Sequence, residues 1–386
     1  MNTDRESLAR LANIDIIAGV TSIKIKELEA LGWNPVLENS FLKMNQPELA
    51  PARISGKNRN SFQVMGEFGE GIADLPGRVS YEGTQIPVVG DWVGVRTNKS
   101  GQNKEIETVL PRKSKISRQV SGGRDRYSGG TTAEQVIAAN IDTVFIAGSL
   151  DGSRNLNRSK IERYLIVARA GGAAPVIILN KTDLCLDVQG QIDAVQPLAP
   201  SVPVLAISAT HTAGLEKLKQ YLTKGSTAVF LGPSGVGKSS IINALLGVER
   251  LMVGEVRETD FRGRHTTTGQ ELLLLPGGGC VIDTPGMREI QLWVDEADLA
   301  GAFPDIELLA QGCRFRDCTH SAEPGCAVIK AIDDGTLEAR RLENYRKLGK
   351  EMRYLEARQN DLGKVEEKKK WKKISQWQKD FNKHQR

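Results

Sequence analysis

Three observations predict a multidomain chain in which an all-β module, an α/β module and a helical module follow one another. Short strands broken by glycine-rich turns fill residues 52–118. Apolar strands alternating with helices begin at Ile141, and a cysteine–histidine cluster after Phe303 leads into a charged helical tail. With 386 residues the chain exceeds one ordinary core, which agrees with two to three domains.

The totals narrow the class. Hydrophobic residues make up 40% and charged residues 26%, the balance of a soluble globular protein. No apolar run approaches the ~18 residues that span a bilayer. The N-terminus "MNTDRESLARLANIDIIAG" lacks the basic start and apolar core of a secretory signal. A cytoplasmic protein without membrane contact is expected, and there five cysteines serve as thiols or metal ligands rather than disulfides. Net charge is +5, yet residues 338–386 hold 16 Lys/Arg against 8 Asp/Glu, which leaves the remainder acidic. Positive potential concentrated in the tail points to an anionic partner there.

Taken in order, residues 1–50 are a polar N-terminal extension with one short helix expected from Ile23 to Leu31. "RISGKNRNSFQVM", "GRVSYEG", "GDWVGVR" and "KEIETVL" succeed one another at hairpin spacing, which predicts a small antiparallel barrel, an OB-fold, over 51–118. Residues 119–135, rich in Gly, Ser and Arg, read as a linker. Over 136–300 the strands "DTVFIAGSL", "APVIILN", "VPVLAISA", "TAVFLG" and "CVIDTPG" alternate with the helices "NRSKIERYLIVARAGG", "GLEKLKQYLTKG" and "KSSIINALLG". Strands apolar throughout, each followed by a helix, mean a mostly parallel sheet covered on both faces. Residues 301–386 form the cysteine-bearing segment and basic tail.

The α/β region carries a phosphate cradle. Gly232-Pro233-Ser234-Gly235-Val236-Gly237-Lys238-Ser239, followed by Ser240, fits G-x-x-x-x-G-K-[ST] between a strand and a helix. Its glycines let backbone N–H groups turn onto phosphates, and the helix N-terminus adds its positive end. Lys238 supplies a point charge and Ser239 a hydroxyl for Mg²⁺. In "VIDTPG", Asp283 is expected on the metal side and the Gly286 N–H on the terminal phosphate, a loop that senses whether that phosphate is present. "RGRHTTTG" between them offers a threonine to the Mg²⁺ shell; Thr267 is favoured, with Thr266 and Thr268 open.

Asn180-Lys181-Thr182-Asp183 selects the base. The Asp183 carboxylate is acceptor-only and matches the two adjacent N–H donors on guanine, whereas adenine would leave it unpaired. Asn180 braces the loops, the Lys181 stem lies over the ring, and "ISA", with Ser208 and Ala209, presents a backbone N–H to the guanine carbonyl. GTP or GDP is the expected ligand. The base reader here precedes the cradle, the reverse of the usual order. An α/β domain with neighbouring ends tolerates such re-cutting. The domain is therefore read as a circularly permuted P-loop GTPase fold, with the sensing loop next in sequence to the cysteine segment.

"CRFRDCTHSAEPGC" sets Cys313, Cys318, His320 and Cys326 in a C-x4-C-x-H-x5-C array. Three thiolates and one imidazole make a closed tetrahedral set, suited to one structural zinc.

The permuted order, with "GPSGVGKSS", "RGRHTTT", "DTPGMRE", "EQVIAANIDTVFIAGSL" and the cysteine array, closely resembles the ribosome small-subunit-dependent GTPase family, RsgA, from about Ala52 to about Arg346. The resemblance implies an OB-fold, a permuted GTPase domain and a C-terminal zinc domain. It also implies binding to the 30S subunit and its rRNA, action late in that subunit's maturation, and GTP hydrolysis stimulated there. Gly269-Gln270 departs from the His-Arg that the family carries after its threonines, so no histidine role is transferred to that spot.

A Ras-like enzyme places a glutamine two residues past the DTPG proline. Met287 stands there, so hydrolysis without a partner should be slow, and Arg264 or His265 is a candidate for the missing group. Arg53, Lys57, Arg59 and Arg78 are candidate phosphate contacts on the barrel. In the tail, lysines interleave with Trp371, Trp377 and Phe381, a pattern for phosphate pairing with base stacking. A monomer is expected. The competing functions are an RNA-binding scaffold holding GTP as a structural ligand, and a GTPase acting on another RNA or protein.

Overall fold

A computed structural model provides the structure, which describes residues 27–58, 61–76, 86–97, 104–121, 132–152, 156–251, 270–284, 296–354 and 357. Among these the chain divides into two compact units. One lies within Met1–Ile116, Ile137–Asn157 and Gly171–Arg288, the other within Ser117–Val136, Arg158–Ala170 and Glu289–Arg386.

The first unit begins with a helical turn over 27–30 and helix α1, Pro35–Leu42. Asn34 caps α1 by accepting from the Val36 and Leu37 N–H groups, and Pro35 fills the first turn, where no N–H is needed. Residues 27–30 of the helix expected from Ile23 to Leu31 are helical, 23–26 lie outside the described residues, and α1 is an element that the polar composition concealed. Trp33 anchors this segment edge-on against Trp92, with ring centroids 4.8 Å apart.

Strands β1 (Leu49–Lys57), β2 (Ser61–Gly66), β3 (Gly69–Asp74), β4 (Trp92–Thr97) and β5 (Lys104–Val109) build the barrel. Their order is β1-β2-β3-β5-β4, and a β1–β4 pairing closes the ring. Only β3–β5 is parallel. This is the five-stranded closed arrangement of an OB-type fold. "GRVSYEG" lies outside the described residues. Strands β6 (Lys115–Ser121) and β7 (Thr132–Ala139) pair as a two-stranded ribbon.

The nucleotide-type sheet follows from β8 (Thr143–Ser149), which is buried at every position. After it come helix α2 (Arg158–Ala170), strand β9 (Ala174–Asn180), helix α3 (Val188–Val195), strand β10 (Val204–Ala206), the short helix α4 (Glu216–Lys219), strand β11 (Thr227–Leu231) and helix α5 (Lys238–Leu246). Strands β12 (Glu271–Leu274) and β13 (Cys280–Asp283) complete it. The order is β10-β9-β8-β11-β13-β12, all parallel except β12. From β8 the chain travels outward through β9 and β10, then returns to β11 on the other side of β8. Strand order therefore reverses at β8, and ligands bind beyond the carboxyl ends at such a point.

"GLEKLKQYLTKG" is one helical turn rather than a full helix. It tightens into i→i+3 bonds, Tyr221 N to Leu218 O and Leu222 N to Lys219 O, both 3.0 Å, before Gly225 turns the chain at φ 79°. Leu215, Leu218 and Leu222 still pack with Ile241 and Leu245 of α5 against Phe145, Val176 and Phe230. Packing, not helix length, fixes that segment. Gly56 of β1 pairs with Glu271 of β12, so barrel and sheet are one continuous eleven-stranded surface.

The second unit contains α2 with helices α6 (Glu296–Ala302), α7 (Pro304–Ala310) and α8 (Ala327–Asp333) and a last helix over 339–354. Buried Glu162 of α2 accepts from Arg341 Nη1 at 2.9 Å and from Asn344, while Arg341 also grips Asp305 through a second nitrogen at 2.7 Å. Burial raises the Glu162 carboxyl pKa, and the Arg340 and Arg341 guanidinium groups oppose that rise. Among the described residues no helix is long and apolar enough to cross a membrane.

Candidate functional site

Three loops at the carboxyl ends of β9, β10 and β11 meet around one side chain. Asn180, the last residue of β9 and 2% exposed, donates from Nδ2 to Val236 O at 2.9 Å and accepts from Ala209 N at 3.1 Å. A single buried amide thus ties residues 56 positions apart, with both of its polar ends satisfied. The bracing expected of Asn180 has this geometry.

The loop after β11 is shaped for close approach. Gly232 has φ 154°, and a Cβ there would stand 2.4 Å from Ala147 O; Gly237 has φ 93°, and a Cβ there would stand 2.4 Å from Asn180 Nδ2. Neither position admits a side chain. Gly237 opens α5, so the helix N-terminus carries Lys238, Ser239 and Ser240 in its first turn. Lys238 folds back, Nζ donating to Gly232 O and Pro233 O at 2.8 Å each. Its ammonium is held at the mouth of the loop by carbonyls, which suits a cation that will meet phosphate oxygens. Val236 is fully buried, while Ser234 and Gly235 stand exposed on the rim.

The base-reading loop is equally ordered. Thr182 N donates to Ile207 O at 3.2 Å, joining it to the loop after β10. Asp183 accepts from the Ser208 hydroxyl, and that bond holds its carboxyl below the usual range, so it is ionised at neutral pH. Lys181 adopts the left-handed conformation and sends its ammonium to Gly235 O at 2.8 Å and to Asp151 at 2.6 Å. His211 Nδ1 lies 3.9 Å from Asp183 and 3.3 Å from Ser208 Oγ. Asp151 and His211 were not anticipated from sequence; the pairing of Ser149 with Asn180 across β8 and β9 is the register that brings Asp151 in.

On the metal side, Asp283 ends β13 and is partly buried. Desolvation raises its carboxyl pKa, opposed by the Lys238 charge and the Thr284 N–H. The Asp283 carboxylate, close enough to feel the Lys238 charge, is a hard oxygen donor of the kind Mg²⁺ prefers, as is the Ser239 hydroxyl. Thr266, Thr267, Thr268, Gly286, Arg264, His265 and Met287 lie outside the described residues.

In the second unit, Cys313, Cys318, His320 and Cys326 converge, with their ligand atoms all within 4.8 Å of one another. Cys313 Sγ and Cys326 Sγ are each 3.6 Å from His320 Nδ1 and 3.9 Å apart. A tetrahedral zinc with sulfur at ~2.3 Å and nitrogen at ~2.0 Å requires ligand separations of about 3.8 and 3.5 Å, so Cys313, His320 and Cys326 are spaced as that ion requires, with Cys318 Sγ within 4.8 Å of them. Burial lowers the His320 pKa, which favours the neutral, ligating imidazole. Glu323 orders the turn by accepting from Thr319 N at 2.9 Å, Ser321 N at 2.7 Å and Ala322 N at 3.1 Å. Pro324 and Gly325, the latter at φ 80°, return the chain to Cys326 at the start of α8.

One expected nucleic-acid contact is corrected. Arg53 is 1% exposed, and its guanidinium donates to Gly90 O at 3.3 Å, Asn140 O at 3.2 Å and Leu31 O. Strand β1 turns it inward as a pin between segments, away from any surface ligand. Lys57, at the end of the same strand, is exposed and lies over the Phe62 ring. Arg59, Arg78 and the aromatic tail residues lie outside the described residues.

Comparison with known proteins follows the same lines. The profile of the RsgA GTPase family matches residues 109–293. A protein of Opitutus terrae named small ribosomal subunit biogenesis GTPase RsgA is 42% identical over 363 residues, covering 91% of this chain and 96% of that protein. One of Lactiplantibacillus plantarum, named small ribosomal subunit biogenesis GTPase RsgA 2, is 44% identical over 319 residues, covering 81% and 87%. The crystal structure of YjeQ from Thermotoga maritima superposes with a TM-score of 0.57 at 28% identity, covering 79% of this chain and 98% of that one. YloQ, described as a circularly permuted GTPase, shares the fold with a TM-score of 0.53 at 22% identity, covering 80% and 96%.

Proposed function

This chain belongs to the RsgA GTPase family, and we propose that it hydrolyses GTP to GDP and phosphate on the small ribosomal subunit, late in that subunit's biogenesis. The observation that carries the reading is the buried Asn180 amide, which holds the base-reading and phosphate loops together although the chain runs them in reversed order.

In this reading Asp183 accepts from the two guanine N–H donors, Ala209 N–H faces the guanine carbonyl, and Lys181 and Thr182 complete the base loop. Backbone N–H groups from Gly232 to Ser240 surround the phosphates, and Lys238 neutralises developing charge on them. Ser239, Asp283 and Thr267 would hold Mg²⁺, which when bound neutralises charge on the phosphate oxygens. Gly286 N–H reads the terminal phosphate. Cys313, Cys318, His320 and Cys326 would hold one structural zinc. The domain limits follow as 51–118 for the barrel, 136–300 for the GTPase domain and 301–386 for the zinc module with its tail.

Because Met287 stands where Ras-like enzymes carry glutamine, the subunit supplies the missing positioning of water, by reordering "RGRHTTT". Lys57 and the basic tail contact rRNA, so binding weakens steeply with salt. The protein works as a cytoplasmic monomer without a membrane partner. Single-turnover GTP hydrolysis with and without purified 30S particles tests this. Stimulation by the particles, together with co-sedimentation that differs between GTP-analogue and GDP states, is expected. An unassisted rate that the particles leave unchanged refutes it and favours a scaffold with bound GTP.

A further inference from the structure

The base-loop lysine has a partner that lies outside both nucleotide motifs. Lys181 Nζ donates to Asp151 Oδ2 at 2.6 Å and to Gly235 O at 2.8 Å. The other Asp151 oxygen accepts from Ser149 Oγ at 3.0 Å, and Ser149 is 1% exposed. Only 16% of the Asp151 side chain and 29% of the Lys181 side chain reach solvent. The backbone reinforces the pair, since Leu150 N donates to Asn180 O at 2.9 Å. The loop after β8 is therefore fastened to the loop after β9 by the ion pair and by a backbone bond one residue before it.

We propose that Asp151 is a positioning residue for guanine nucleotide binding, holding Lys181 across the phosphate loop so that its aliphatic stem, not its charge, is offered to the base. The inference rests on the GTP-site reading above. An unpaired lysine head is a compact, strongly hydrated charge on a flexible stem. Left free beside a phosphate cradle, it would be drawn toward the phosphates and away from the ring. Asp151 offsets that charge, and Gly235 O fixes its direction. Neither contact involves a transferred phosphoryl group, so both contribute to binding in ground and transition states alike. Their loss should appear in KM and in nucleotide dissociation, not in kcat.

The test compares Asp151→Asn, Lys181→Met and the double variant in the full-length protein, with Asp183→Asn as a reference. GTP kcat and KM, GDP Kd and melting temperature are measured for each. Asp151→Asn should raise KM and GDP Kd about five-fold with kcat held within about two-fold, the scale of a partly buried ion pair. The double variant should lose no more affinity than Lys181→Met alone, because Asp151 acts through the lysine. A merely structural aspartate would instead give additive losses that follow the melting temperature, and that result overturns the proposal, as does an unchanged KM. Asp183→Asn replaces an acceptor by a donor and should move preference from GTP to xanthosine triphosphate. If it does not, the GTP-site reading itself fails; if it does while Asp151→Asn changes nothing, the positioning role alone is lost.

Discussion

The nucleotide cradle and the cysteine turn are both built from loops, yet they are held in opposite ways. Around the cradle, each loop continues a buried strand, and side-chain amides and ammonium groups close the gaps: Asn180 to Val236 and Ala209, Lys181 to Gly235, Lys238 to Gly232. The cysteine turn runs from the end of α7 to the start of α8 and continues a helix rather than a strand. Its donors converge, but thiols and an imidazole at 3.6–3.9 Å attract one another weakly without an ion. The scaffold preassembles the first site, whereas the proposed zinc would supply most of the cohesion of the second.

The difference predicts unequal responses to removing one element. Chelation of zinc, or Cys318→Ser, should unfold residues 313–333, because binding energy at such sites is folding energy, on the order of 10 kcal/mol for small zinc modules. Limited proteolysis of this segment, alongside GDP affinity, reads the outcome. Cleavage should appear within the cysteine turn while GDP binding persists. Loss of GDP binding to the same degree would mean that the two sites share one cooperative unit.

Next in size is Asn180→Ala. It strips the partner from a buried carbonyl and a buried N–H at once, at about 1–3 kcal/mol for each unsatisfied group. Melting temperature should fall by several degrees and GTP KM should rise at least about ten-fold, the scale set by 1.4 kcal/mol per decade. An affinity loss without any fall in melting temperature would show that Asn180 touches nucleotide directly instead of joining loops.

These two sites also differ in how legibly the sequence wrote them. The Cys–His spacing and G-x-x-x-x-G-K-S name their own chemistry, because ligand type and backbone conformation restrict which residues can serve. The mostly parallel sheet followed from uninterrupted apolar runs such as Val176–Leu179, and the permuted domain from the reversed order of the base-reading and phosphate motifs. What stayed hidden depends on register and direction. Asp151 is an ordinary loop aspartate until Ser149 is paired with Asn180. Arg53 read as a surface cation, yet it faces inward from β1 onto three carbonyls. Helix α1 has too little apolar periodicity to be read, and its cap at Asn34 is a two-bond feature any loop asparagine can mimic.

The smallest effect sharpens the comparison most. Glu323 organises the cysteine turn without touching the ligand atoms, gathering the N–H groups of Thr319, Ser321 and Ala322. The Thr319 hydroxyl above all, with the backbone N–H groups of this turn, holds the Glu323 carboxyl far below the ordinary carboxylate range, so it remains ionised in mild acid. If the metal supplies nearly all cohesion, Glu323→Ala should leave the zinc-loaded fold and its melting temperature close to wild type. Supporting residues around a metal site typically contribute ten-fold or more in affinity, so the variant should release zinc to a chelator about ten times faster. A variant that keeps wild-type zinc release would show the turn to be organised by the metal alone. One that melts early even with zinc bound would show that this turn, like the cradle, is preassembled by its own hydrogen bonds.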